Sequence, residues 1–588
     1  MPSSRTALAA AVTLTAAAIG AVTIAPQPTS AANWVDAALD RLSLEQKVGQ
    51  LFVATVWGKS ATEAHPNNQA RYGVATPAEV VSRYQLGGVI YFNNSSTDNV
   101  DNPAQLAAFS NGLQRAALGS APHIPLVIAI DQEGGNVTRV ESPATEYPSA
   151  MALGAGRSQE DARTAAVING RELRAMGVNQ NFAPVADVNS NPLNPVIGAR
   201  SFAADPELAA QMVAAQVRGY QDGGRRTETV SSSAKHFPGH GDAATDSHTG
   251  LPRIDRSAED WRAVDLPPFK AAVDAGIDSI MTAHIQFPSL DPSGVPATLS
   301  RPILTGLLRD ELGYDGLIVT DALGMQGVRE MFGDAEVPVL ALEAGVDQLL
   351  MPPDLPLARD AVLAAVRSGR ISEARIDESV RRILKQKWER GIITRPLVDV
   401  RRIGDHVGTP QNLAAVQALT DRTVTLLRND ADALPLSGNV LVAGVGDTVN
   451  PTRSPQALAA ALGGTAMPTG TRPSETVIAQ AEAAARDADA VVVLTNNLSV
   501  FTQQRTLLTR LIATGTPVVA VASQVPYDAG FVDAPTWLAT YSWRGVSMKS
   551  LAKVLTGEVS PSGKLPVAVP DGADPTVIRY PYGHGLGR

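Results

Sequence analysis

From about residue 40 to residue 400, short β-rich runs, several of them apolar throughout, alternate with longer stretches of helical spacing. The runs are "GVIYF" at 88–92, "LVIAI" at 126–130, "NQNFA" at 179–183, "SSAKH" at 232–236, "SIMTAH" at 279–284, "GLIVT" at 316–320 and "DQLLM" at 347–351. Helices are expected between them at 159–176, 206–219, 261–275, 301–311, 337–344 and 357–368. A strand that is apolar throughout is covered on both faces, and a helix after each strand makes neighbouring strands parallel. Over this length the pattern predicts an α/β fold, an N-terminal (β/α)8 TIM-type barrel.

The chain has 588 residues, too many for one ordinary core. The alternation restarts after "LVDVRRIGDHVGTP" at 397–410, with "NVLVAGVG" at 439–446, "AVVVLTNN" at 490–497 and "PVVAVAS" at 517–523. This predicts a smaller α/β sandwich domain with an open, mainly parallel sheet. The barrel is placed at 33–398, a linker at 399–412 and the second domain at 413–588. Gly444-Val445-Gly446 lacks the third glycine of a dinucleotide fingerprint and is read as a tight strand–helix turn.

Residues 1–32 carry Arg5, an apolar stretch from about 7 to 24 and a small-residue exit at Thr29-Ser30-Ala31-Ala32. That is the layout of a cleaved signal peptide, so a secreted or cell-wall-associated protein is expected. The absence of cysteine removes disulfides, thiol nucleophiles and a lipid-modified cysteine. No integral membrane segment is expected after the leader. The net charge of −9 argues against a nucleic-acid partner, which needs clustered cations.

Polar residues end several strand candidates. Asp131 follows "LVIAI", Lys235 and His236 end "SSAKH", His284 ends "SIMTAH" and Asp321 ends "GLIVT". Barrel active sites are built at these C-terminal ends. The richest stretch is "KHFPGHGDAATDSH" at 235–248. His236, His240 and His248 with Asp242 and Asp246 are of metal-ligating type, but Pro238, Gly239 and Gly241 disfavour a helix around His240, and no glutamate lies between the first two histidines. A purely structural loop is the second reading, with His240 the member that fits it best. In the third, Asp246 and His248 lie on the same side of an extended loop. A carboxylate there fixes the imidazole's tautomer and raises its pKa for proton transfer.

The loop resembles the K-H-F-P-G-H-G-x4-D-S-H loop of the β-N-acetylglucosaminidases of glycoside hydrolase family 3. "IDQEGGNVTR" at 130–139, "NFAPVADV" at 181–188, "IGARSF" at 197–202 and "GLIVTDALGM" at 316–325 are similar to family segments in the same order. "TVTLLRNDADALPL", "GKLPVAVP" and "YPYGHGL" resemble the second domain of two-domain members. Asn136 stands where many members carry a basic residue, and Thr320-Asp321-Ala322 offers one aspartate where single-domain relatives often have two. The resemblance implies Asp321 as nucleophile, His248 as acid/base with Asp246 as its partner, and Asp131, Arg200, Lys235 and His236 as sugar ligands. It implies neither metal nor organic cofactor. The expected function is release of terminal GlcNAc from peptidoglycan or chitin fragments, by a monomer. The alternatives are a family 3 β-glucosidase, a GlcNAc phosphorylase and a non-catalytic wall-binding module.

Overall fold

The computed structural model describes residues 31–93 and 97–587. The leader up to residue 30 therefore lies outside the described residues. The first sheet contains β1 (Phe52–Thr55), β2 (Gly88–Tyr91), β3 (Val127–Ile130), β4 (Gln180–Asn181), β5 (Ser231–Phe237), β6 (Ser279–Thr282), β7 (Leu317–Val319) and β8 (Leu349–Leu350). Its order is β7-β6-β5-β4-β3-β2-β1-β8, with every pairing parallel. A parallel bridge between Val319 and Gln348 joins the two ends and closes the barrel.

The two-residue period of a strand sorts its side chains. Val53, Ile90, Val127, Ala129, Phe182, Met281, Val319 and Leu350 pack together in one cluster that fills the barrel. Their neighbours Phe52, Ala54, Val89, Tyr91, Ile128 and Ile130 belong to the larger cluster under the helices. Both faces are buried, which is why the sequence reads as continuous apolar runs. The helix expected at 261–275 is two, Ala258–Val264 and Leu266–Asp274. Pro267 and Pro268 cannot donate backbone N–H groups to a preceding turn, so the second helix starts afresh there.

The second sheet comprises β9 (Thr425–Asn429), β10 (Val440–Gly444), β11 (Thr465–Pro468), β12 (Ala490–Thr495), β13 (Val518–Ala522) and β14 (Thr536–Ala539). The order is β11-β10-β12-β13-β14-β9, with β9 antiparallel to β14 and the rest parallel. Alternate residues again feed clusters on opposite faces. One of these clusters includes Met151, Ala152 and Ala155 from the helix Ala150–Gly156, and Ala199, all contributed by the N-terminal part of the chain.

Lys387, on the helix Glu373–Glu389, is fully buried and its Nζ donates to Gln50 Oε1 at 2.8 Å. Burial pushes its ammonium down to about 7. The unfolded chain holds the proton to a higher pH, so stability rises as pH climbs from about 7 towards 10 and stays low below 7. Lys387→Met is expected to stabilise the fold by a few kcal/mol, roughly, at pH 6 and to flatten this dependence. Thermal midpoints of both proteins between pH 6 and 9.5 check it; a lower midpoint for the variant at pH 6 contradicts it.

Candidate active site

The register between β5 and β6 shifts where β5 leaves the barrel. Ala234 pairs with Ile280, and Phe237, three residues on, pairs with Thr282, two residues on. The extra residue bulges the strand and re-aims its side chains. Lys235 and His236 both contribute polar atoms here, though they are adjacent in sequence. Lys235 Nζ lies 2.8 Å from Asp131 Oδ1 and 2.7 Å from Glu133 Oε1. Arg200 forks onto Glu133, with Nε and Nη2 each 2.9 Å from a carboxylate oxygen. The result is a chain of alternating charge, Asp131, Lys235, Glu133, Arg200. Burial alone would raise the Glu133 carboxyl, but Arg200 and Lys235 hold it well below the usual range. Burial likewise disfavours the Lys235 ammonium, and Asp131 and Glu133 more than restore it. The Asp131 side chain is 18% exposed against 3% for Lys235, so Asp131 is the member of that pair that faces solvent.

Asp187 lies beneath the start of the histidine loop. It accepts from His236 Nδ1 at 2.7 Å and from the backbone N–H groups of His236 and His240 at 3.1 and 2.7 Å. With Nδ1 turned to Asp187, His236 directs Nε2 towards Arg200 Nη2 at 3.4 Å. His240 is buried, edge-on to His236, with Nε2 3.0 Å from Ser247 Oγ. Burial pushes it down to about 4, so it is neutral in ordinary buffers.

Asp321 follows β7, and its Oδ1 accepts the N–H of Ala322 at 2.7 Å. Burial raises its carboxyl, but the imidazoles of His236 and His284, the Ala322 amide and His248 outweigh burial and lower it overall. The site therefore keeps this carboxylate ionised at neutral pH. His284 is fully buried between Thr298 Oγ1 at 2.8 Å and the Ala322 carbonyl at 3.1 Å. It packs the barrel rim and holds the peptide after Asp321. His248 is more exposed: its Nδ1 lies 2.7 Å from Asp246 Oδ1, which also accepts the His248 backbone N–H at 2.9 Å. Nδ1–H points at the carboxylate, and Nε2 is the atom left for a proton to come and go.

The second domain reaches the loops that carry these groups. Arg544 donates through Nε to the Gly135 carbonyl at 2.7 Å and pairs with Glu141 at 2.6 Å. Ser149 Oγ donates to the Tyr541 carbonyl, and Asn189 Nδ2 to Tyr527 Oη. The loops after β3 and β4 are thus held from outside the barrel. The candidate site residues Asp131, Arg200, Lys235, His236, Asp246, His248 and Asp321 come together at this end of the barrel. Arg200 pairs with Glu133, and Asp131 with Lys235. Glu133 and Asp187 complete the site. Both lie inside segments read for other residues, and neither has a local spacing that reveals its long-range partners.

A parallel barrel with a half-buried ionised carboxylate, an imidazole–carboxylate pair and a polar cluster at one end has the equipment of a barrel glycosidase. Residues 43–386 match the glycosyl hydrolase family 3 N-terminal domain and residues 424–588 its C-terminal domain. The chain belongs to glycoside hydrolase family 3. It is 37% identical over 429 residues to "Beta-hexosaminidase A" of Pseudoalteromonas piscicida, covering 68% of this chain and 70% of that one. It is 30% identical over 413 residues to "Beta-N-acetylglucosaminidase/beta-glucosidase" of Cellulomonas fimi, covering 69% and 68%. A family 3 β-N-acetylglucosaminidase structure from Paenibacillus sp. str. FPU-7 superimposes with a TM-score of 0.81 at 38% identity, over 90% of this chain and 99% of that one. The protein is a hydrolase of the β-hexosaminidase kind. No helix among the described residues is long and apolar enough to cross a membrane.

Proposed function

We propose that the chain is an exported, retaining, exo-acting β-N-acetylglucosaminidase that removes terminal GlcNAc from peptidoglycan or chitin fragments. The observation that carries this reading is the Asp246–His248 hydrogen bond, which leaves Nε2 free in the same strand-end cluster as ionised Asp321. Retaining glycosidases pair a nucleophile with a separate acid/base. Asp321 attacks the anomeric carbon and forms a glycosyl ester. His248, protonated at Nε2 while Nδ1–H stays on Asp246, gives its proton to the departing oxygen. The now neutral Nε2 then takes a proton from the water that cleaves the ester. Asp131 accepts from sugar hydroxyls on its solvent side, and Lys235, Arg200 and His236 supply the remaining ring contacts.

The test compares nitrophenyl β-GlcNAc with nitrophenyl β-glucoside. The GlcNAc substrate is expected to have the higher kcat/KM; equal or reversed values favour a β-glucosidase. A sugar 1-phosphate appearing in phosphate buffer would make phosphorolysis the activity. His248→Ala is expected to slow hydrolysis of GlcNAc disaccharides by about 10²–10⁴-fold, the usual range for a general acid/base. Formation of the glycosyl-enzyme from a nitrophenyl substrate should change far less, because that leaving group needs little protonation. Equal losses on both substrates would remove His248 from the acid role.

A further inference from the structure

At the N-terminal end of the barrel, away from the catalytic strand ends, lies a pocket of about 420 Å³. Its position follows from the chain path. Arg174 ends the helix that leads into β4, Thr227 and Glu228 precede β5, and residues 395–406 follow the last barrel helix. Although the protein carries a net charge of −9, the pocket is lined by Arg171, Arg174, Arg225, Arg395, Arg402 and His406.

The carboxylates in its wall are already engaged. Glu228 accepts from Arg225, and Asp399 accepts a forked contact from Arg401. Arg402 pairs with Asp405 at 3.0 Å. Arg174 is different, being only 6% exposed. Its Nη2 reaches only two backbone carbonyls, of Gly391 and Arg395, at 3.3 and 3.5 Å, and its buried Nη1 has no partner. Burial pushes the guanidinium down to about 10, and the like charges of Arg395 and Arg390 push the same way, yet it remains a cation at neutral pH. A buried cation without a carboxylate is costly. Several guanidinium forks around one cavity suit an anion with more than one charge and more than two acceptor oxygens.

We propose that this pocket binds a phosphate group, carried either by inorganic phosphate or by a phosphorylated sugar. The phosphate oxygens accept from Arg174, Arg171 and Arg395, and the ligand does not compete with a glycan at the other end of the barrel.

Calorimetric titration of the full chain with inorganic phosphate and with N-acetylglucosamine 6-phosphate, at constant ionic strength, tests this. One saturable site is expected for at least one of them, with Kd about millimolar or tighter. Equal affinities make the phosphate itself the determinant; tighter binding of the ester makes it the phosphorylated sugar. Arg171→Ala with Arg395→Ala, both exposed side chains, is expected to weaken binding about tenfold or more and to leave nitrophenyl β-GlcNAc hydrolysis unchanged. No saturable binding, or undiminished binding in that double variant, overturns the proposal. Arg174→Gln gives a second readout. It should melt higher than wild type without phosphate and lose the rise in Tm that phosphate gives the wild type. A lower Tm with that rise intact would make Arg174 a purely structural residue and overturn its role.

Discussion

Asp321→Asn is expected to lower kcat on nitrophenyl β-GlcNAc by roughly 10⁴-fold or more, the scale seen when a member of a catalytic constellation is removed. KM should change little. The amide keeps an oxygen for the Ala322 N–H, which now meets Oδ1 at 2.7 Å, so the turn after β7 has no reason to move. What is lost is the negative charge. The wild-type site holds that charge against burial with the imidazoles of His236 and His284 and the Ala322 amide. Asparagine needs none of that support, so the variant should melt no lower than wild type. Steady-state kinetics and a melting curve on the same preparation decide the matter. A variant that keeps a tenth of the activity would exclude Asp321 as the nucleophile.

The second large effect is on stability. Glu133→Ala is expected to cost about 3–5 kcal/mol, because breaking a buried pair leaves uncompensated charge. Here two cations would be left, since Arg200 and Lys235 both use this carboxylate. Their guanidinium and ammonium would then repel each other with only Asp131 to share. The pH signature has a definite sign. The folded carboxyl is held well below its unfolded value, so its contribution is complete above the unfolded pKa near 4.5 and disappears as pH falls below it. Glu133→Gln should therefore unfold more easily at pH 7 and show a shallower loss of stability between pH 5 and pH 3. Denaturant titrations at those pH values measure both quantities. A Glu133→Gln protein as stable as wild type at pH 7 would mean that the cluster contributes no net stability.

The barrel was legible because a parallel strand buried on both faces leaves a run of apolar residues, as in "GVIYF", "LVIAI" and "GLIVT", and because helical stretches alternate with the strand segments. β1 was harder: "LFVAT" follows directly on the helix Leu44–Gln50, with no turn residue to separate them. The split at Pro267 could have been read from proline's missing N–H, and the apolar spacing on either side masked it. In the site, the histidine loop stood out because its chemistry is concentrated in one segment. The Asp246–His248 pair is two residues apart and was readable from spacing alone. Glu133 finds Lys235 and Arg200 across separate barrel loops, and Arg544 meets Gly135 from the other domain. Such partners are chosen by the closed barrel and by domain docking, and neither leaves a period in the sequence. For the same reason the sequence points Arg200 to the sugar but not to Glu133.

The helix Ala150–Gly156 belongs by sequence to the barrel half, yet Met151, Ala152 and Ala155 are buried in the core of the other half. Pulling the halves apart would wet that shared oily seam and release the clasp on Gly135. A gene fragment ending after the barrel would thus leave the loop after β3 without its outer support. In this enzyme the boundary between domains is a matter of topology, and cohesion crosses it.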